Sequence, residues 1–194
     1  MNSVTKKIVF TAVLTAVLAV INAFATIRIS PTFKVSLLLC FSFFVGIVLG
    51  GWLGFVAGFV GDFLGWLLFV DGIYNPFIGV ASGLFCFIPG FLNDLMVKFN
   101  ILRNLKKARI AVCFSVSALL CYVVCTLFLT CVGIWVMAGL NPENYGFLAK
   151  YDTFWAYFAA RAVSQLPNNV VNLFLAYGLF LAFDATEFTG KYIK

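Results

Sequence analysis

Val45–Trp66, VGIVLGGWLGFVAGFVGDFLGW, is the stretch that decides the fold. It lies within a mostly apolar run, residues 35–70, that is too long for one helix crossing a bilayer. Gly50 and Gly51 form the natural turn, because glycine adopts positive φ without a steric penalty. The sequence therefore predicts two helices here, at 35–49 and 52–70, of which the first is short.

The composition identifies the solvent of this chain. Of 194 residues, 63% are hydrophobic and 10% are charged, and the mean hydropathy is +1.07. An ordinary soluble domain is about one quarter charged, so this chain has too little polar surface to cover a globule in water. We predict an all-α integral membrane protein, a single domain over 1–194 in contact with lipid.

The remaining apolar runs give four more spans. A bilayer-crossing helix needs about twenty mostly apolar residues, because no backbone polar group can stay unpaired in lipid. The predicted fold is a bundle of six transmembrane helices, and the other four spans are 8–27, 77–95, 110–138 and 154–183.

The placement of lysine and arginine predicts the orientation. The loop 98–109 is strongly basic, and with six spans it shares one side with Lys6, Lys7 and the tail residues Lys191 and Lys194. Basic loops face the cytoplasm, so both termini are predicted to be cytoplasmic. Five spans would place Lys6 and the basic loop on opposite sides. Because the charges collect between apolar runs, the net charge of +6 does not indicate a nucleic-acid partner.

The residue inventory argues against an enzyme. Histidine is absent, which removes most zinc sites and the serine–histidine pair of membrane proteases. The six cysteines lie in or beside apolar runs without a CxxC pair and are typical of small apolar fillers. We expect no catalytic site, no metal and no cofactor.

The last span carries a polar stripe. Residues at i, i+4, i+7, i+8 and i+11 share one face of a helix. That spacing joins Arg161, Gln165, Asn168, Asn169 and Asn172. A charge in a membrane costs several kcal/mol, so the stripe must face protein, water or a ligand.

Two interpretations of the stripe stay open. Pro167 removes one helical hydrogen bond and frees the Val163 carbonyl, which favours a cavity and a bound ligand. The alternative is amide hydrogen bonding between helices, with Arg161 paired to Asp62 or to a carbonyl. Asp62, near the middle of the third span, is either functional or structural.

Arg28 and Lys34 are basic residues on the side predicted to face outward. Together they flank a proline in a short loop that caps the bundle, which suggests an anion arriving from outside. Anchoring to lipid headgroups is the alternative.

Small residues mark packing faces. In the third span they are Gly54, Gly58, Gly61 and Gly65, which we assign to contacts within the bundle. In the first span they are Ala12, Ala16, Ala19 and Ala23, on a helix expected to be peripheral. This alanine face is predicted to meet another protein, and packing within the bundle is the alternative.

These features together resemble a known family. The order is an AxxxA first span, the basic loop IRISPTFKVSL, a glycine-rich stretch with GDFLG, the dip DGIYNPF, a basic loop and an Arg-Gln-Asn stripe. It resembles the substrate-binding S components of energy-coupling factor (ECF) vitamin transporters over nearly the whole chain. The folate branch is the most similar, through IRISPTFKVSL, GDFLG and NPFIGVASGL.

The resemblance implies a multi-pass protein of a prokaryotic plasma membrane that captures a vitamin from outside. It implies that the loops Arg28–Lys34 and Asp71–Phe77 close over the ligand, and so adds Tyr74 and Asn75 to the candidate residues. It also implies partners, namely a transmembrane coupling protein and two cytoplasmic ATPases. The chain has no GxxxxGK[ST] phosphate loop of its own.

The chemistry of folate fits the candidate residues. Asparagine and glutamine can match the edge of its ring, arginine or lysine can hold its carboxylates, and aromatic side chains can cover the ring. Other ligands for the same architecture are a queuosine precursor, thiamin or pantothenate. A small channel or membrane scaffold is the alternative of another class.

Overall fold

The computed structural model describes residues 3–28, 34–69, 72–101 and 105–184. Its helices are α1 (Ser3–Phe24), α2 (Leu38–Leu49), α3 (Gly51–Leu68), α4 (Pro76–Lys98), α5 (Lys106–Leu120), α6 (Thr130–Leu140) and α7 (Phe154–Asp184). A π-helix, Cys121–Leu129, joins α5 to α6, and a 3-10 segment, Pro142–Lys150, precedes α7.

The predicted turn between the second and third helices is confirmed at Gly50. Its φ is +82°, and α2 ends directly before it. The two helices then run back along each other, since a Cβ added to Gly54 would lie 3.3 Å from the Cα of Gly46. Glycine permits both the positive φ and this close approach.

Five helical stretches are long and apolar enough to cross a membrane within the part of the chain described: Lys7–Phe24, Gly51–Leu68, Pro76–Lys98, Lys106–Leu140 and Phe154–Asp184. With 12 residues, α2 is about 18 Å long, shorter than the roughly 30 Å hydrocarbon core. The bundle is helical as predicted, whereas the count of six spans stays a prediction.

A short hairpin interrupts the helical architecture between α1 and α2. Strands β1 (Thr26–Arg28) and β2 (Lys34–Ser36) pair antiparallel, with Arg28 opposite Lys34. The expected first span, to Ile27, was therefore too long, because α1 ends at Phe24. The β-branched residues Thr26, Ile27 and Val35 favour extended structure there.

The glycine face of α3 packs inside the bundle, as expected. A Cβ on Gly61 would lie 3.0 Å from Leu18 of α1, and one on Gly58 would lie 2.5 Å from the Ser82 carbonyl of α4. Small residues thus bring three helix backbones close together. Helix α3 runs parallel to α1 and antiparallel to α4, so the hairpin, the segment Gly72–Asn75 and the 3-10 segment share one end of the bundle, called here the loop end.

Candidate polar site at the loop end

The polar stripe of α7 faces the bundle. Gln165, Asn169 and Asn172 are buried, whereas Val163 is 76% exposed and Phe174 is 72% exposed on the opposite face. Polar groups point to protein and apolar groups to the lipid side, as the helical spacing predicted.

The inner part of the stripe holds helices together. The Oδ1 atom of Asn172 accepts a hydrogen bond from the backbone N–H of Cys40 at 3.1 Å. Cys40 lies in the first turn of α2, where N–H groups have no partner within the helix, and the N-cap residue Leu37 makes no side-chain bond to it. Asn172 therefore caps α2 from a different helix. Its Nδ2 donates back to Asn168, at 2.9 Å to O and 3.0 Å to Oδ1.

The turn beside Pro167 is supported by the helix opposite. The Tyr122 hydroxyl, on the π-helix, donates to the Ala162 carbonyl, and Asn169 Nδ2 donates to the Ala118 carbonyl at 3.2 Å. The Oδ1 atom of Asn169 is buried without a hydrogen-bond partner. Side chains and carbonyls of the neighbouring segment thus bond to α7 on both sides of Pro167, and α7 continues through the proline as one helix.

Arg161 lies at the outer end of the stripe and is incompletely paired. Its Nη1 donates to the Tyr157 hydroxyl at 3.2 Å, and its buried Nε has no hydrogen-bond partner. Tyr157 is fully buried, with its ring 6.5 Å from that of Trp135 and 5.4 Å from that of Tyr151. Tyr157 therefore connects Arg161 to an aromatic cluster at the loop end.

Asp62 does not pair with Arg161, so the expected pairing of these two charges was wrong, whereas amide hydrogen bonding between helices is present at Asn169 and Asn172. The buried carboxylate of Asp62 instead accepts hydrogen bonds from Ser82 Oγ at 2.9 Å and from Asn22 Nδ2 at 3.1 Å. Asp62 therefore connects α3 to α4 and α1, on a different side of the bundle from Arg161.

Tyr74 and Asn75 turn toward different neighbours. The ring of Tyr74 packs on α3, with ring centroids 5.2 Å from Phe63 and 5.4 Å from Trp66. The Asn75 side chain caps α4, accepting from the Phe77 N–H at 3.1 Å, while its buried Nδ2 has no partner.

The hairpin brings the backbones of Arg28 and Lys34 opposite each other, and β2 runs beside α7. The side chains of both residues, and Asp71 altogether, lie outside the described residues. The seven candidates whose side chains are described do not form a single cluster of contacts.

Sequence reasoning missed the partners of both charges, Asn22, Ser82 and Tyr157. Tyr157 precedes Arg161 by four residues, so helical spacing could have found it. Asn22 and Ser82 gave only a weak signal, as single polar residues inside apolar runs.

Residues 2–182 match the sequence profile of the family described as ECF-type riboflavin transporter, S component. The fold is similar to a crystal structure of FolT bound with folic acid, with a TM-score of 0.61 and 23% sequence identity, over 91% of this chain and 97% of the FolT chain. No curated protein sequence matches this chain.

Proposed function

The chain belongs to the family of ECF-type riboflavin transporter S components, and we propose that it binds folate outside the cell for uptake by an ECF importer. The resemblance to S components found in the sequence is thereby confirmed. The family consists of transport components and is not a class of enzymes.

The observation that carries the ligand proposal is the incomplete pairing of Arg161. A buried donor without a partner costs about 1–3 kcal/mol, so the free protein leaves one cationic donor available for an acceptor. Folate carries carboxylates, which form strong charge-assisted hydrogen bonds with arginine. The facing positions of Arg28 and Lys34 on the hairpin supply two further cations for the same ligand.

Buried amides supply groups for the ring of the vitamin. Asn75 Nδ2 is a buried donor and Asn169 Oδ1 a buried acceptor, both without partners, and Gln165 is buried between Arg161 and Asn169 along α7. We propose these residues as ligand contacts. Tyr74, Asn168 and Asn172 are engaged with the protein itself and are proposed to act by shaping the site.

Riboflavin is the second candidate, because the family description names it. It is uncharged and would use the buried amides but not a cation. The two ligands therefore differ in their dependence on Arg161.

Measuring the affinity of the purified protein for folate and for riboflavin tests both candidate ligands. We expect folate to bind more tightly than riboflavin, and the folate diamide, in which both glutamate carboxylates are replaced by uncharged carboxamides, to lose at least tenfold in affinity. Arg161→Ala should weaken folate binding but leave binding of the diamide nearly unchanged, because the diamide has no carboxylate to pair with Arg161. Mass spectrometry of the vitamin that co-purifies gives an independent answer. Tighter binding of riboflavin would refute the folate proposal.

A groove of about 300 Å³ between α1 and α3 is proposed to receive the transmembrane coupling protein, which in turn engages two cytoplasmic ATPases. It is lined by Ala16, Ala19, Val20, Leu64, Leu67 and Leu68. Ala12 and Ala16 are exposed and Ala23 is half-buried, whereas Ala19 is 3% exposed and packs on α3. The exposed part of the alanine face therefore lies at the edge of the α1–α3 contact.

Leucine at Ala12 and Ala16 should separate binding from transport. The added volume would keep a partner helix away, since close approach in lipid depends on small side chains. We expect the double variant to bind the vitamin normally but to lose co-purification with the ATPases and uptake. Val13→Leu with Val17→Leu, on exposed positions nearby, is the control. Normal uptake by the alanine double variant would refute the docking proposal.

The loop end is proposed to face outward from a prokaryotic plasma membrane, with both termini and six spans as the sequence predicts. Ile73 and Leu105 are both exposed, at opposite ends of the bundle, and the native cysteines are all buried. An impermeant thiol reagent on intact cells should label Ile73→Cys and not Leu105→Cys. The reverse pattern would invert the topology.

A further inference from the structure

Asp62 lies where three segments meet. Its carboxylate accepts from Asn22 of α1 and from Ser82 of α4. The Tyr74 hydroxyl is buried and lies close enough to Asp62 for the two groups to interact. Burial, and then the charge of Asp62, raise the pKa of Tyr74 to about 12.

Glycines make room for each of these neighbours. A Cβ on Gly65 would lie 2.9 Å from Asn22, one on Gly58 would lie 2.5 Å from the Ser82 carbonyl, and one on Gly79 would lie 2.0 Å from the Tyr74 hydroxyl. A methyl group at Gly79 would therefore displace the hydroxyl. The close helix packing and the position of Asp62 depend on one another.

The segment Gly72–Asn75 is held to α3 at both ends. Trp66 Nε1 donates to the Gly72 carbonyl at 3.1 Å, and the Tyr74 ring packs on Phe63 and Trp66. Asn75 follows directly and carries the unpaired Nδ2. A change in how Tyr74 sits beside Asp62 would thus move a proposed ligand contact.

We propose that Asp62 is a positioning residue that links this segment to α1, so that the packing of α1 on α3 sets the position of Asn75. The inference rests on the proposed function only in its last step, where the position of Asn75 sets vitamin affinity. It assigns Asp62 a role distinct from ligand contact.

The link can be measured without any ligand. In purified protein carrying Ile73→Cys, the native cysteines are buried and give little background. Adding Asn22→Ala should raise the rate of thiol labelling at position 73 about 3- to 10-fold, the range expected for one lost hydrogen bond. Gly79→Ala should also raise this rate, because the added methyl group displaces the Tyr74 hydroxyl. Asp62→Leu should do the same, whereas Asp62→Asn retains an acceptor and should label at nearly the original rate.

Two matched controls separate this effect from general loosening. Gly178→Ala adds a methyl group where no atom lies within 4 Å, and Ser115→Ala removes a hydroxyl that bonds within its own helix. Both should leave the labelling rate unchanged. An unchanged rate in Asn22→Ala would overturn the proposal, because that residue acts from α1.

A second measurement tests the functional step. Asn22→Ala and Gly79→Ala should each lower the affinity for whichever vitamin the unmodified protein binds. The factor should be similar to the increase in labelling rate, and it should arise chiefly from faster dissociation. Faster labelling with unchanged affinity would overturn the role of the link in binding. Failure of the unmodified protein to bind any vitamin would instead refute the proposed function, and the labelling result would still decide the link.

Discussion

Asp62 and Arg161 are both charged side chains within long apolar helices, and their surroundings differ. Asp62 accepts hydrogen bonds from two other helices and is 6% exposed. Arg161 makes one hydrogen bond, to a residue one turn away on its own helix, and has a buried nitrogen without a partner. The carboxylate is satisfied by the fold, whereas the guanidinium is not.

The difference distinguishes a structural charge from one available to a ligand. A buried polar group whose partners come from several helices ties those helices together. A buried donor without a partner destabilises the free protein and gains most when a partner arrives. This difference is the reason for proposing Arg161 as a ligand contact and Asp62 as a positioning residue.

The largest expected effect is on the free energy of unfolding. Replacing Asp62 should lower it, whereas replacing Arg161 should not. Asp62→Leu removes the acceptor of Ser82 Oγ and the side-chain acceptor of Asn22 Nδ2, and it should lower the free energy of unfolding by about 2–5 kcal/mol. Arg161→Leu removes an incompletely paired charge from an apolar setting and should be neutral or stabilising. Thermal unfolding in detergent measures the stability of both variants. Equal losses of stability would contradict the assignment of Asp62 as structural and Arg161 as available to a ligand.

The next effect is on affinity. Arg161→Ala should weaken folate binding by about 1.5–3 kcal/mol, tenfold or more in affinity, because one charge-assisted hydrogen bond is lost. The melting temperature should not fall. Lys98→Ala, an exposed charge at the other end of the bundle, is the control for net charge. Unchanged folate binding by the folded Arg161→Ala protein would remove Arg161 from the site.

A smaller effect should separate the two ends of the stripe. Asn172→Ala removes the cap of α2 and should lower stability by about 1–2 kcal/mol. Asn172→Ala should lower folate affinity less than Arg161→Ala does, because the Asn172 side chain bonds to Cys40 and Asn168. If Asn172→Ala lowered the free energy of folate binding more than the free energy of unfolding, Asn172 would be a ligand contact.

The smallest effect concerns the turn of α7 that precedes Pro167. Tyr122→Phe removes the hydroxyl that donates to the Ala162 carbonyl and should lower stability by about 0.5–1.5 kcal/mol. Tyr177→Phe, in the inner half of the same bundle, is the matched control. Equal melting temperatures of the two variants would show that the Tyr122 bond contributes nothing.

Local patterns predicted much of the fold. Apolar length located the helices, and two adjacent glycines located the break at Gly50, because each depends on a few neighbouring residues. Helical spacing also placed the stripe of α7 toward the bundle. The hairpin was missed because each of its strands is only three residues long, too short to show the alternating pattern of a strand.

By itself, the sequence determined that the chain is a helical membrane protein, which residues are too polar to face lipid, and which family it resembles. These follow from composition and from the period of one helix. Only the tertiary structure decided which polar groups satisfy one another. Asn22, Asp62 and Ser82 meet although 40 and 20 residues separate them along the chain, while Asp62 and Arg161, the obvious pair by charge, do not. The reason is that two polar side chains can bond only if their helices pack together and if they lie at the same level along the helix axes. For Asn22, Asp62 and Ser82, the close packing at the α3 glycines meets both conditions.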